Sequence, residues 1–276
     1  MDDVQAGGIR RDKLRVCHGG ALDPFAEGLV LLLAGQATRL MDLLHPLPKT
    51  YVAEIAWGAE TDNGDPLGRV VARGDPSKLD PEVLQETLQP FLGWRDQVPP
   101  LTSNKRVDGE RAYRKAHRGE PFELPPSRVY LHEARWLSHR FPDSSTLLLV
   151  TGGGYYVRSL ARDLGRATAS RAHLAALRRS AIGPWIDPPV GQRIWMRGAE
   201  LFPWCATVLV DGAEAKALLA GKGIPTRTVE PPTWSVPPGF PDPLAPMRAL
   251  HDGRLVGLLR ERDGELVGEP ALRVAL

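Results

Sequence analysis

The 276-residue chain has little of what marks specialised protein classes. Its two cysteines, Cys17 and Cys205, lie far apart and form neither a disulfide framework nor a metal signature. No apolar run has the length of a membrane span or the character of a signal peptide, so the cytoplasm is the expected location. Internal repeats are absent as well. These absences leave a globular protein, and its apolar content of 42% suffices for a sizeable core.

The chain also lacks a strong charge of either sign. Lysine and arginine total 35 against 33 acidic residues, a net charge of +2 that does not by itself call for a nucleic-acid partner. The basic residues nevertheless concentrate in three segments, at 10–18, 105–118 and 158–179. One such segment alone is commonly a solvated surface. Three of them beside candidate loops favour RNA or DNA, because they can neutralise phosphates.

One short segment carries a single acid in a constrained loop. Residues 18–25, HGGALDPF, lead directly into the apolar run 28–35. Glycine permits unusual backbone geometry and Pro24 restricts Asp23, so the loop is predicted to hold one carboxylate at a fixed angle. Asp23 is either a nucleophile or a turn residue that caps local amides. His18 is a candidate base, stacking ring or metal ligand, but no second histidine or cysteine stands at ligand spacing, so no metal is expected.

An arginine follows a triple glycine later in the chain. Arg158 comes shortly after 152–154 and is predicted to lie at a strand-to-helix corner. There it could grip a carboxylate or a phosphate, or simply be exposed. A nucleotide-binding loop is the weaker reading, because the glycines lack the lysine and hydroxyl residue of a P-loop.

Other candidates are aromatic, basic or apolar. Tyr51 could be a stacking platform for a base, with Lys49 nearby for a phosphate, or it could only open a strand. Lys105 and Arg106 are candidate RNA contacts in the second basic segment. Leu177 is a core leucine by residue type alone.

The hydrophobic patterns predict an α+β chain with mostly hairpin-linked strands. Strands are expected at 51–57, 69–72, 128–136, 146–151, 255–259 and 272–274, and 29–33 is a buried strand or a short helix. Helices are expected from Pro81, from 155 to about 165, from a cap at Ser170 with Leu174 and Leu177 on one face, and at 213–219. The composition changes near residue 200, and the proline-rich segment 225–246 is expected to be a loop or a linker.

The sequence around Asp23 closely resembles the G-H-T-G-T/A-L-D-P-x-A-x-G-L-L motif of the TruB family of tRNA pseudouridine-55 synthases. Chance does not produce so many further blocks in the order of that family. They are GQATRL at 35–40, KTY at 49–51, GAETDNGD at 58–65, PPLTSNK at 99–105, RAY at 111–113, GYYVRSL at 154–160 and LRRS at 177–180. The resemblance covers about residues 15 to 185.

The resemblance implies roles for the matching residues. Asp23 matches the aspartate that attacks the target uridine, at C6 of the base or at the sugar, and Arg158 matches the arginine that pairs with it. Tyr51 matches the tyrosine that stacks on the flipped base and assists proton removal. Leu177 matches a leucine of the uracil pocket, and His18 matches the histidine that enters the T-loop. The target base must be flipped out of the folded loop.

The same resemblance implies the fold and the partners. It implies a mixed, mostly antiparallel sheet core of the pseudouridine synthase type over 1–200, with flanking helices, and a small β-rich PUA-like domain over 201–276. It further implies a monomer that acts on the T-arm of tRNA, with no cofactor, no metal and no membrane. A non-catalytic tRNA-binding or tRNA-folding chaperone on the same scaffold is the alternative.

The chain departs from the family in two places. The family's opening K-P-x-G segment is absent before His18, so we expect the natural start to lie upstream of Met1, or folding and activity to suffer. Cys17 and Gly19 stand where the family has glycine and threonine, and the lost hydroxyl makes the loop less polar.

Overall fold

The computed structural model describes residues 14–103, 105–107, 109–243, 245–269, 272 and 275–276. Three residues of the first basic segment, Arg10, Arg11 and Lys13, lie outside this range, as do Arg273 and Val274 of the last predicted strand. The chain forms two compact units. The first comprises Met1–Ala21, Val30–Leu47 and Pro188–Leu276, and the second comprises Leu22–Leu29 and Pro48–Asp187.

The described strands are numbered in chain order. They are β1 (Val16–His18), β2 (Glu27–Gly28), β3 (Leu32–Ala34), β4 (Lys49–Trp57), β5 (Ala59–Thr61), β6 (Val70–Arg73), β7 (Gly93–Gln97), β8 (Arg106–Val107), β9 (Glu110–Arg111), β10 (Ser127–Arg140), β11 (Ser144–Thr151), β12 (Ala172–Ile182), β13 (Trp185–Ile186), β14 (Thr207–Leu209), β15 (Ile224–Pro225), β16 (Met247–His251), β17 (Arg254–Arg262) and β18 (Glu265–Gly268).

The helices are fewer and short. The α-helices are α1 (Pro81–Leu88), α2 (Ala112–His117), α3 (Val157–Ala167) and α4 (Gly212–Leu219), and the 3₁₀ helices are Gly35–Leu43, Gln89–Phe91 and Gly198–Glu200. In the described part of the chain, no helix combines the length and the apolar character needed to cross a bilayer.

The described part of the second unit is built on one sheet. Six of its strands follow the order β13-β12-β4-β11-β10-β7, and β2 pairs with β12 off that path. All these pairs are antiparallel except β2 with β12. Burial alternates along the whole of β4, as expected for a strand with one face on the core. The buried face of β4 continues from Trp57 through Tyr51 to Lys49, where it leaves the apolar core.

Two helices cover this core. Helix α1 begins where the sequence predicts, because the Asp80 carboxylate accepts a hydrogen bond from Val83 N at 2.8 Å and Pro81 takes the first helical position. Helix α3 buries Leu160 and Leu164 against the sheet. Its N-terminal turn brings Arg158 to the edge of the core.

The helix predicted after Ser170 is wrong, since this segment is the strand β12. Its buried residues are spaced two apart except at two register shifts, one between Leu174 and Ala176 and one between Arg179 and Ala181, each of which adds one residue. The first of these bulges separates Leu174 and Leu177 by three residues, the spacing of a helix face, although both lie on one face of a strand. Strands β5 and β6 form an antiparallel hairpin, and the predicted strand 51–57 pairs with β11 and β12 instead.

The first unit contains a second sheet near the chain's end. Strands β14, β16, β17, β18 and β15 follow one another in it, and α4 packs on its apolar residues. Within 29–33, the residues 32–33 belong to β3, which pairs with β1. Together these features confirm the predicted fold class, a mostly antiparallel α+β core with a small β-rich C-terminal part. The domain boundary at residue 200 stays a prediction.

Candidate active site

A bidentate ion pair joins Asp23 to Arg158. The Arg158 Nη2 donates to Asp23 Oδ1 at 2.6 Å and Nε donates to Oδ2 at 2.9 Å. The side chain of Arg158 is 4% exposed, whereas that of Asp23 is 28% exposed. The carboxylate is therefore held in one plane while one side of it stays open to a ligand.

Arg158 is itself fixed by several oxygen atoms. Its Nη1 donates to the Asn63 carbonyl at 2.8 Å and to Thr102 Oγ1 at 2.7 Å, and its Nη2 reaches the Thr102 carbonyl at 3.3 Å. A second carboxylate, Asp65, lies 4.0 Å from Nη1. The guanidinium cannot turn away from Asp23 without leaving these partners unpaired.

Asp65 is buried within a tight turn. Its Oδ1 accepts hydrogen bonds from Asn63 Nδ2 and from Leu67 N, both at 2.8 Å, and its carbonyl accepts one from Thr61 Oγ1 at 2.8 Å. Asp65 therefore supplies a second fixed negative charge beside Arg158.

The loop that carries Asp23 closes on strand β12. The Asp23 carbonyl accepts a hydrogen bond from Ala26 N at 2.9 Å, so the turn is closed by the main chain and the carboxylate is left for Arg158. Gly28 has φ +104°, and a Cβ there would lie 2.3 Å from the Arg179 carbonyl oxygen. Only glycine permits this close approach.

Tyr51 has two basic neighbours in the same sheet, Lys49 on its own strand and Arg179 on β12. It is 9% exposed, and Arg179 forms a hydrogen bond with its side chain. Burial raises the pKa of the Tyr51 hydroxyl, Arg179 opposes that rise, and the charge of Asp23 adds to it. Lys49 is also buried; burial, with Arg179 as a smaller cause, lowers its pKa to about 7.

Leu177 is buried in the same core, in register with Ala53 of β4 and two residues before Arg179. The structure thus brings Asp23, Arg158, Tyr51 and Leu177 into one unit, with the charges of Asp23 and Arg179 acting on Tyr51.

The remaining predicted residues lie elsewhere or in another setting. His18 is exposed at the end of β1 in the first unit, in register with Leu32. Lys105 and Arg106 are exposed in the second unit, where Arg106 Nη1 donates to the Gly109 carbonyl at 3.0 Å. Lys49 is enclosed rather than exposed. The proposed roles of these residues stay predictions.

The sequence did not predict three residues of the site, namely Thr102, Asp65 and Arg179. Thr102 and Asp65 lie within the family blocks 99–105 and 58–65, but the resemblance implied no role for either residue. Arg179 follows Leu177 by two residues, which in a strand places both side chains on one face. Recognising β12 as a strand would have found it.

The chain is similar to known proteins. Residues 9–157 match the model of the TruB family pseudouridylate synthase N-terminal domain. The tRNA pseudouridine synthase B of Bordetella avium is 39% identical over 176 residues, covering 63% of this chain and 72% of that protein. The namesake protein of Xanthomonas campestris pv. campestris strain B100 is 40% identical over 204 residues, covering 73% of this chain and 62% of that protein.

The fold is also similar to solved structures. A chain of the archaeal box H/ACA sRNP Nop10–Cbf5 complex aligns with a TM-score of 0.58 at 15% identity, over 94% of this chain and 77% of that one. A chain of an H/ACA RNP bound to a substrate RNA containing 2′-deoxyuridine aligns with a TM-score of 0.59 over 92% and 74%. At such low identity these likenesses concern the fold alone. From the family match over more than half of its length, the chain belongs to the TruB family of pseudouridine synthases, which are isomerases.

Proposed function

We propose that this chain is a tRNA pseudouridine synthase that isomerises the T-loop uridine at position 55, with Asp23 as its nucleophile. One observation carries the proposal, namely the bidentate grip of the buried Arg158 on the partly exposed Asp23 carboxylate. An arginine keeps its charge at every working pH, so its two hydrogen bonds hold the carboxylate in a fixed orientation. That is what a carboxylate nucleophile requires.

The reaction divides among the residues as follows. The glycosidic bond to N1 breaks, the uracil turns, and a bond from the sugar to C5 forms before the C5 proton leaves. Asp23 attacks the uridine, and the bond that it forms breaks again before the product leaves. Tyr51 stacks on the flipped base and assists the removal of that proton. Leu177 closes the apolar side of the pocket. The base is inaccessible inside the folded T-loop, so it must be flipped out. We assign His18 to the T-loop from which the base is flipped.

The exposed cations serve the RNA backbone. Lys105 and Arg106 are exposed on the surface of the second unit, which favours contacts with phosphates and a role in T-arm affinity. Lys49 belongs to the same predicted RNA-binding set, and its burial favours a position near the base rather than near the backbone. We further propose a cytoplasmic monomer that needs neither cofactor nor metal, since the isomerisation involves no redox step.

Tritium release tests the proposal. A T-arm stem-loop labelled with 5-tritiated uridine should lose its label from the target position when incubated with this chain, and Asp23→Asn should abolish the release. Asp96→Asn is the matched control, because Asp96 is a mostly exposed carboxylate on β7 whose partner is the exposed Arg128. It should release tritium at the rate of the unmodified chain.

The alternative function gives a different pattern. A non-catalytic tRNA-folding chaperone would bind the stem-loop without releasing tritium, and Asp23→Asn would then change nothing. A stem-loop labelled only in stem uridines should release no tritium with any variant, which confirms that the signal comes from the loop.

A further inference from the structure

Arg179 is a buried arginine to which the proposed mechanism assigns no role. It is 2% exposed, and its Cα pairs with that of Tyr51 across β12 and β4. Its side chain also forms a hydrogen bond with the side chain of Tyr51. A buried cation is costly unless it is well paired, so the placement calls for a reason.

The guanidinium is held on its other side by the loop that carries Asp23. Its Nε donates to the Leu29 carbonyl at 2.8 Å, and the Arg179 carbonyl accepts a hydrogen bond from Leu29 N at 2.8 Å. Since Nε has a single hydrogen, another N–H of the guanidinium serves Tyr51. Arg179 therefore connects the Asp23 loop to the Tyr51 ring through one rigid planar group.

The charges around Tyr51 make this link informative. Burial and Asp23 both disfavour negative charge on the Tyr51 oxygen, and Arg179 favours it. Lys49, two residues away on the same face of β4, has a pKa lowered to about 7 and can lose its charge near neutrality. Arginine stays charged, so Arg179 supplies the permanent positive charge at this oxygen.

We propose that Arg179 is a positioning residue of this synthase, whose guanidinium orients the Tyr51 ring and hydroxyl against the flipped uracil and so sets the rate of isomerisation rather than the affinity for RNA. The inference rests on the proposed function of the site. This positioning role also explains why residue 179 is an arginine, since the single nitrogen of a lysine cannot donate to the Leu29 carbonyl and to the Tyr51 oxygen in the same plane.

A double-mutant cycle tests the link. Single-turnover tritium release is measured for Arg179→Gln, Arg179→Lys, Tyr51→Phe and both combinations with Tyr51→Phe. Losing a charged hydrogen bond should slow Arg179→Gln about 10- to 100-fold, with T-arm Kd changed less than about twofold. Arg179→Lys should lie in between. In the Tyr51→Phe background neither substitution should slow the reaction further, because the hydroxyl that Arg179 orients is already gone.

A second measurement needs no substrate. The ¹³Cζ chemical shift of Tyr51, assigned with Tyr51→Phe, reports the hydrogen bond at its oxygen. It should move in Arg179→Gln and remain unchanged in the control Arg178→Gln, because Arg178 pairs with Glu27 and Asp187 instead. Thermal unfolding of each variant identifies any that does not fold, and Arg179→Lys then serves in its place.

Two outcomes would overturn the inference. One is an equal loss of rate from Arg179→Gln with and without the Tyr51 hydroxyl, and the other is an unchanged Tyr51 shift in that variant. If the unmodified chain releases no tritium, the proposed function itself fails, and the chemical shift alone still decides whether Arg179 holds Tyr51.

Discussion

The candidate site has two halves, the Asp23–Arg158 pair and the Tyr51–Arg179 pair, and each half uses its arginine differently. Arg158 reaches from the first turn of α3 to a carboxylate that is 28% exposed, whereas Arg179 reaches within the sheet to a phenol that is 9% exposed. The first pair is charged on both sides, and the second has only one charge. The comparison favours a division of work, in which the proposed nucleophile keeps an open face and the proposed stacking residue is embedded in the core.

Both arginines nevertheless depend on the main chain. Arg158 donates to the carbonyls of Asn63 and Thr102, and Arg179 donates to that of Leu29. Carbonyls cannot change their protonation, so they fix each guanidinium at any pH. The two halves therefore differ in the group that the arginine binds, a carboxylate in one and a phenol in the other. They are alike in that main-chain carbonyls fix the arginine. The changes below test the difference between the two halves.

Removing the charge of Arg158 should have the largest effect. Arg158→Met leaves Asp23 misaligned and Asp65 buried without its cation, so we expect at least about a 1,000-fold loss of activity and a loss of about 3–5 kcal/mol in the free energy of unfolding. Tritium release and urea denaturation measure the two. Arg158→Lys keeps the charge without the bidentate grip and should lie in between. Activity within tenfold of the unmodified chain would contradict the ion-pair account.

Changing pH should affect the Tyr51 half through Lys49. Between about pH 7 and pH 9 the unfolded chain keeps the Lys49 proton that the folded chain has lost, because its pKa falls from 10.5 to about 7 on folding. Stability should therefore rise with pH in this window, by up to about 1.4 kcal/mol per unit. Lys49→Met should lack this rise. Parallel stability curves for the two proteins would refute the lowered pKa.

Adding a methyl group at Gly28 should disturb the close approach of the Asp23 loop to Arg179 on β12. Gly28→Ala is strained at φ +104° and its Cβ meets the Arg179 carbonyl oxygen at 2.3 Å, so a loss of about 2 kcal/mol or more is expected on urea denaturation. Gly93→Ala is the control, since Gly93 has a similar φ of +82° with no atom within 4 Å of the new Cβ. Equal losses would mean that strain alone, and not the close approach, requires glycine.

Removing one hydroxyl beside Arg158 should have the smallest effect. Thr102→Val deletes the acceptor of the 2.7 Å bond from Nη1 and leaves the carbonyl bond, which predicts a loss of about 1 kcal/mol and a rate about fivefold lower. Thr102→Ser keeps the hydroxyl and should match the unmodified chain in both measurements. A Thr102→Val variant as active as Thr102→Ser would show that the carbonyl alone suffices.

Local patterns predicted much of the fold because they report local structure. The alternation in 51–57 and the Asp80-Pro81 start of α1 were both confirmed. Strand β12 was mistaken for a helix because its bulge gives Leu174 and Leu177 a spacing of three. A bulge depends on pairing with a partner strand, and a single segment of sequence does not contain that information.

The site was predicted only where a family motif supplied the roles. Asp23 and Arg158 stand 135 positions apart, and their contact follows from how α3 packs on the sheet rather than from either local sequence. Thr102 and Arg179 escaped notice for the same reason, since each acquires its partner from a distant part of the chain.

The same separation has a consequence during synthesis. The Asp23 loop leaves the ribosome before both of its arginines, because Arg158 follows Asp23 by 135 residues and Arg179 follows its partner Leu29 by 150 residues. At about 5–20 residues per second, Asp23 is made roughly 7–27 s before Arg158. The proposed catalytic carboxylate is thus made well before the groups that position it, and the site of a nascent chain is complete only once β12 has paired with β2.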